Sequence, residues 1–144
     1  EASSVPTMSR GSSLGGTGAA TGFLRGAVLG AQSPDTQCLR FAIFFTGASA
    51  SVKGYANSSS FAMGKFALRG LAQSMARELS PKNIHVAHFV IDGGVRSSVR
   101  AEDADRPDSM LDPDAIAQTY LAVLDQPRNA WSWEVELRPF VETF

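Results

Sequence analysis

The chain has a single cysteine, Cys38, in 144 residues. One thiol cannot form an internal disulfide, so the composition points to a reducing compartment and a cytoplasmic setting. No His lies near Cys38 in sequence to activate it as a nucleophile, so a plain buried or loop thiol is the simpler reading. Long apolar runs are missing too. None approaches the ~18 residues needed to cross a bilayer as a helix. There is no excess of either charge: the net charge is −1. Basic residues are scattered rather than striped, which argues against nucleic acid or an anionic membrane as partner. The chain begins with Glu1 rather than Met, which leaves room for upstream residues, a targeting peptide among them.

What is present is an ordinary globular composition, 44% hydrophobic and 19% charged, enough for one domain with a core. Residues 1–22 are rich in Ser, Gly, Thr and Ala and almost free of large apolar side chains, so they read as a flexible or non-native segment. Residues 23–144 carry the domain. Phe23, Leu24, Val28 and Leu29 make a modest helical pattern up to Gln32. Gly26 and Gly30 weaken it by about 1 kcal/mol each, and Pro34 ends it.

Phe41 to Phe45 is a continuous apolar run followed by Thr46-Gly47, as expected of a strand buried on both faces of a parallel sheet. Ser58 to Leu79 is the strongest helix, with Leu68, Leu71, Met75 and Leu79 at helical spacing and Ser80-Pro81 as its stop. Ile84 to Ile91 reads as a second strand, closed by Asp92-Gly93-Gly94. His85 and His88 both lie on it. Three residues apart on a strand they point to opposite faces, so they do not make a metal pair. Residues 96–112 read as a polar loop. Pro113 to Leu124 is an amphipathic helix with Asp112 as N-cap and Pro113 at its first position. Trp131 to Leu137 alternates strictly and reads as a third strand. Trp131 and Trp133 suit either the core or an interface.

The order is βαβαβ, half of a doubly wound, Rossmann-type α/β sheet. A half sheet would leave the apolar strand Phe41–Phe45 with an unpaired edge, open to aggregation or to another chain.

From about Phe23 onward the sequence resembles the C-terminal half of a short-chain dehydrogenase/reductase. The family signature is Tyr-x-x-x-Lys on a helix, with a Ser thirteen residues before the Tyr and a Pro-Gly turn after the next strand. Here Phe61-Ala62-Met63-Gly64-Lys65 opens the corresponding helix. Ile91-Asp92-Gly93-Gly94-Val95-Arg96-Ser97 resembles the family's Pro-Gly-x-x-x-Thr segment, which lies at the nicotinamide side of the cofactor. Asp92 stands where Pro is usual, and Ser97 stands in for Thr. Gln126 to Trp131 and Glu134 to Pro139 look like the tail of an atypical subgroup that carries Phe in place of the catalytic Tyr.

The resemblance implies an NAD(P)-dependent oxidoreductase acting on a carbonyl or alcohol. It implies that Lys65 holds the nicotinamide ribose, with Gly93 and Ser97 beside the cofactor, NAD or NADP. It also puts Phe61 at the Tyr position and Ala48 at the Ser position, and the upstream Asn of the family falls near Gly18. A phenyl ring cannot carry a proton, and losing a positioned acid or base costs about 10²–10⁴ in rate. Ser49, Ser51, Tyr55 and Ser60 are the hydroxyls nearby. Thr17 to Leu24 nearly matches the family's phosphate-binding turn. We reject it, because no apolar strand precedes it to aim its N–H groups and it lies too close to Phe61.

Three readings therefore stand at this level. The chain is part of an oxidoreductase with impaired or altered catalysis, a non-catalytic dinucleotide-binding or interaction module, or a truncated copy without a stable fold. The family also implies a small-molecule substrate and homo-oligomers formed through the helix 58–79 and the last helix and strand.

Overall fold

The structure is a computed structural model that describes residues 26–33 and 36–142, with side chains from Phe41 onward. The expected flexible segment 1–22, the Thr17–Leu24 turn, Gly18 and Pro34 lie outside the described residues.

A four-stranded sheet runs in the order β1 (Gly26–Ser33), β2 (Thr36–Thr46), β3 (Ile84–Ile91), β4 (Glu134–Leu137). Strands β2, β3 and β4 are parallel, with Phe41 opposite Ile84 and His88 opposite Glu134. Helix α1 (Ser59–Leu79) links β2 to β3, and α2 (Pro113–Leu124) lies between β3 and β4. This is the βαβαβ order of a Rossmann-type sheet.

Three elements have the bounds their patterns suggest. Asp112 caps α2 by accepting the Asp114 N–H at 2.8 Å, and Pro113 occupies the first turn, where no partner for an N–H exists. Asn83, at φ 62°, takes the left-handed conformation that turns the chain from α1 into β3.

The first element is different from the expectation. Residues 26–33 form a strand, not a weak helix, and β1 pairs antiparallel with β2 from Gly26 opposite Phe45 to Gln32 opposite Leu39. Val28 and Leu29 are the only large apolar residues of this segment, and with Gly26 and Gly30 beside them they gain little from a helix. Pairing with the edge of β2 satisfies the backbone groups of both strands. The edge of Phe41–Phe45 is thus covered, and β2 is longer than its apolar run, beginning at Thr36 and including Cys38. At the other end, Trp131 to Trp133 do not belong to the last strand. The Gln126 side chain holds Ser132 from both sides, donating to its hydroxyl at 3.0 Å and accepting its N–H at 2.7 Å. The strand therefore starts only at Glu134.

The sheet is packed on both faces. Phe44, Ala87 and Phe89 lie against Val123, Tyr120 and Leu124 of α2. Phe45 and Val86 lie against Leu68, Ala72 and Met75 of α1. Full burial of each large apolar side chain stabilises the fold by about 1.5–3 kcal/mol. Among the described residues no helix is long and apolar enough to cross a membrane.

Candidate functional site

The carboxyl ends of β2, β3 and β4 carry Thr46-Gly47-Ala48, Asp92-Gly93-Gly94 and Arg138-Pro139. The first two turns of α1 lie beside them. In parallel sheets this is the end where ligands bind.

Lys65 is the central cation. Ala62, Lys65, Leu68 and Ala72 form the buried stripe of α1, so the lysine faces the sheet and is 9% exposed. Its ammonium donates to the carbonyl oxygen of Thr46 at 3.0 Å and lies 5.8 Å from the Phe61 ring centroid. Burial pushes its pKa down. An ammonium has three N–H donors, and the Thr46 carbonyl takes one. Phe61 is 44% exposed on the first turn of the helix.

Ala48 opens a short turn, Ser49–Ser51, and donates its N–H to the Ser51 hydroxyl at 3.1 Å. Ser51 is fully buried, Ser60 is exposed, and Tyr55 is half exposed on the loop before α1. Gly47 must be glycine. A β-carbon there would stand 2.3 Å from His88 Nε2 and 2.7 Å from Ser51 Oγ. Gly93 has φ +154°, and a β-carbon on it would meet the Pro139 ring at 2.6 Å. Packing against Pro139 thus already accounts for glycine at this position. Ser97 lies exposed on the loop beyond Gly94, its backbone paired with Arg100. The ends of that loop are joined where Leu111 donates to the Gly94 carbonyl at 2.8 Å and Arg96 donates to the Leu111 carbonyl at 2.9 Å.

Two charged groups escaped the sequence reading. Asp92 is 3% exposed and takes Lys53 and Arg138, each at 3.2 Å. Burial alone would raise its pKa. The Ser49 hydroxyl, Lys53 and Arg138 outweigh that and hold it below the usual carboxylate range. One side chain therefore ties together the segments that follow β2, β3 and β4. The second group is Glu134, which accepts two bonds from Arg69, at 2.6 and 2.7 Å, and one from His88 Nδ1 at 3.1 Å. Arg69 holds the Glu134 pKa low. The only available signal was Asp92 at a position where the family has Pro.

His85 and His88 do face opposite sides of the sheet. His85 stacks on Trp131 at 4.6 Å, on the side of Phe44, and His88 faces α1. Among the described residues no three His, Cys, Asp or Glu side chains converge on a metal position. A shallow depression at Ala76, Arg77, Pro81 and Trp133 lies at the far end of α1 from Phe61.

A short-chain dehydrogenase from Rhodopseudomonas palustris is 46% identical, with a TM-score of 0.54, over 70% of this chain and 39% of that one. The chain belongs to the short-chain dehydrogenase/reductase family. Two more distant structures share the fold of this short-chain dehydrogenase/reductase chain. One is an alcohol dehydrogenase from Thermococcus sibiricus complexed with 5-hydroxy-NADP, 17% identical, TM-score 0.55, covering 69% of this chain and 42% of that one. The other is the closed form of serine dehydrogenase complexed with NADP+, 19% identical, TM-score 0.58, covering 72% and 46%. The chain spans 39–46% of the length of these three proteins. No family model and no curated protein matches it.

Proposed function

We propose that this chain is part of an atypical NAD(P)-dependent oxidoreductase of the carbonyl/alcohol type, with Lys65 at the nicotinamide ribose and with impaired or altered proton transfer. The observation that carries the reading is Lys65 itself. It is a buried cation at the carboxyl ends of parallel strands, with one carbonyl partner and two further N–H donors for a ligand. Those donors fit the hydroxyls of a ribose. Gly93 and Ser97 belong to the same proposed face. Among the described residues no Gly-x-x-x-Gly-x-Gly turn follows a strand, so the fit covers the nicotinamide end alone. A bound nicotinamide would supply or accept the hydride. The chain's own contribution is to orient the ribose and to place a positive charge near the reacting carbon.

Phe61 and Ala48 favour a second reading, a dinucleotide-binding module without turnover. With a phenyl ring at the acid position and a methyl at the donor position, neither residue moves a proton. The atypical subgroup with Phe at this position belongs to this proposal, as does a cytoplasmic location. So does self-association through α1, whose outward face carries Met63, Phe66 and Leu71, and through α2 and β4.

The test is a fluorescence titration of the chain with NADH and NADPH, repeated on Lys65→Met. Saturable binding that weakens about 10-fold or more in the variant supports the reading, since a hydrogen bond from a charged donor is worth about 1.5–3 kcal/mol. Equal affinity in both proteins removes Lys65 from the site. No binding by the wild-type chain sinks the dinucleotide reading for this chain.

A further inference from the structure

His88 has a surrounding that the proposed chemistry does not use. Its ring is completely buried on β3. Nδ1 meets Glu134 Oε2 at 3.1 Å, while the same carboxylate is gripped on two N–H groups by Arg69. Nε2 has no hydrogen-bond partner among the described residues and abuts Gly47, where a β-carbon would lie 2.3 Å away. A carboxylate on Nδ1 assigns the proton to that nitrogen, because a carboxylate only accepts. Nε2 then faces the Gly47 turn as a bare lone pair, which needs no donor space.

That turn is also what holds Lys65. The carbonyl of Thr46 accepts the ammonium, and Gly47 N–H donates to Phe89 O at 2.6 Å, joining the turn to β3 next to His88. A second proton, on Nε2, would have nowhere to point. It would drive an N–H against Gly47 with no acceptor and add a buried cation beside Lys65 and Arg69.

We propose that His88 is a positioning residue for Lys65. Its neutral ring, oriented by Glu134 and Arg69, braces the Thr46–Gly47 turn that anchors the ammonium, and protonation of the ring releases that turn. The charged groups facing the imidazole are Glu134 from β4 and Lys65 and Arg69 from α1, while the turn after β2 presents only the Ser51 hydroxyl. Burial first of all, then the two cations, oppose the second proton, and Glu134 only partly offsets them. The consequence for function rests on Lys65 holding the dinucleotide, but the turn's response to protonation does not.

The experiment is amide hydrogen exchange of the chain followed by NMR across mildly acidic pH, without cofactor. After correction for intrinsic exchange, Gly47 should lose protection by up to about 10-fold for each pH unit between the ordinary imidazole value of about 6.5 and the lower His88 titration, and level off below it, while Phe89 stays protected. His88→Asn keeps an N–H toward Glu134 and removes the titration, so its Gly47 profile should be flat. Glu134→Gln removes the compensating charge and should move the step to lower pH. His85→Gln, on the other face, should leave the step in place. Parallel loss of protection at Gly47 and Phe89 in the wild type overturns the proposal. So does a step that survives His88→Asn, or one that disappears with His85→Gln. If the exchange step appears while NADPH affinity is absent or ignores pH, the brace stands and the cofactor role of Lys65 fails.

Discussion

The Lys65 ammonium and the Thr46 carbonyl are joined across 3.0 Å, so a helix-borne cation and the end of β2 act as one unit. This contact makes the lysine a fixed point of the candidate site instead of a solvated helix side chain. It also makes the site sensitive to anything that moves the turn after Thr46.

Supplying hydroxyls at Phe61 and Ala48 tests the proposal that these two residues stand where the chemistry needs a proton donor. Phe61 is half exposed beside Lys65, so a tyrosine fits there without displacing core atoms. Phe61→Tyr combined with Ala48→Ser should raise carbonyl reduction by about 10²–10⁴-fold over the parent chain on at least one member of an aldehyde and ketone panel. A doubly substituted protein that binds NADPH but shows no gain on any substrate would mean that the pocket, and not only its proton donor, has changed.

Gly47→Ala should be among the most damaging single-methyl changes in the chain. The added carbon meets His88 and Ser51, both completely buried, and the backbone of the turn is held by Phe89. A loss of about 3 kcal/mol is expected from overpacking. A thermal melt with the midpoint unchanged would show that the turn relaxes freely. By contrast, Gly54→Ala meets no atom within 4 Å and should be close to neutral.

Asp92→Asn keeps the shape and removes the charge. Lys53 is partly exposed and can turn to water, but Arg138 is mostly buried. The expected loss is about 2–3 kcal/mol, with increased exchange in the segments after β2 and β4. Retention of full stability in urea unfolding would show that Asp92 is not what ties these segments together.

Stability should fall on acidification in two stages. His85 and His88 are both held below the ordinary value of 6.5, chiefly by burial. On lowering the pH the unfolded chain takes up those protons first, so stability is lost as pH drops below about 6.5. Asp92 and Glu134 are held low by their basic partners. Their contribution is complete above the ordinary carboxylate range and disappears as pH falls through their folded values. Midpoints that stay constant from neutral pH down to the carboxylate range would contradict the buried, neutral state of both histidines.

Much of this arrangement could be read from residue order alone. The helical period of α1, the continuous apolar run of β3 and the Asp112-Pro113 start of α2 are local signals, because helix period, strand burial and capping act over a few residues. They sufficed for βαβαβ and for the two histidines facing opposite ways. The stripe of α1 is legible only in part: Leu68, Met75 and Leu79 face the core, but Leu71 of the expected stripe is exposed and Lys65 lies on the buried face. Local spacing likewise put Phe61 and Lys65 on one helix, one turn apart.

Other features have no local cause. Gly26 to Ser33 is a strand because β2 lies alongside it, and a stretch with only Val28 and Leu29 as large apolar residues carries no period that would say so. Trp131 leaves the final strand to stack on His85, far away in sequence. The carboxylate of Asp92 meets Lys53 and Arg138 from two other segments, and Glu134 brings Arg69 and His88 together from a helix and a strand. Such pairings depend on which strand ends the sheet sets side by side. Residue types and local spacing therefore establish the layers and their order, while the packing of those layers decides which charges are buried, which partners they find and where Lys65 is held.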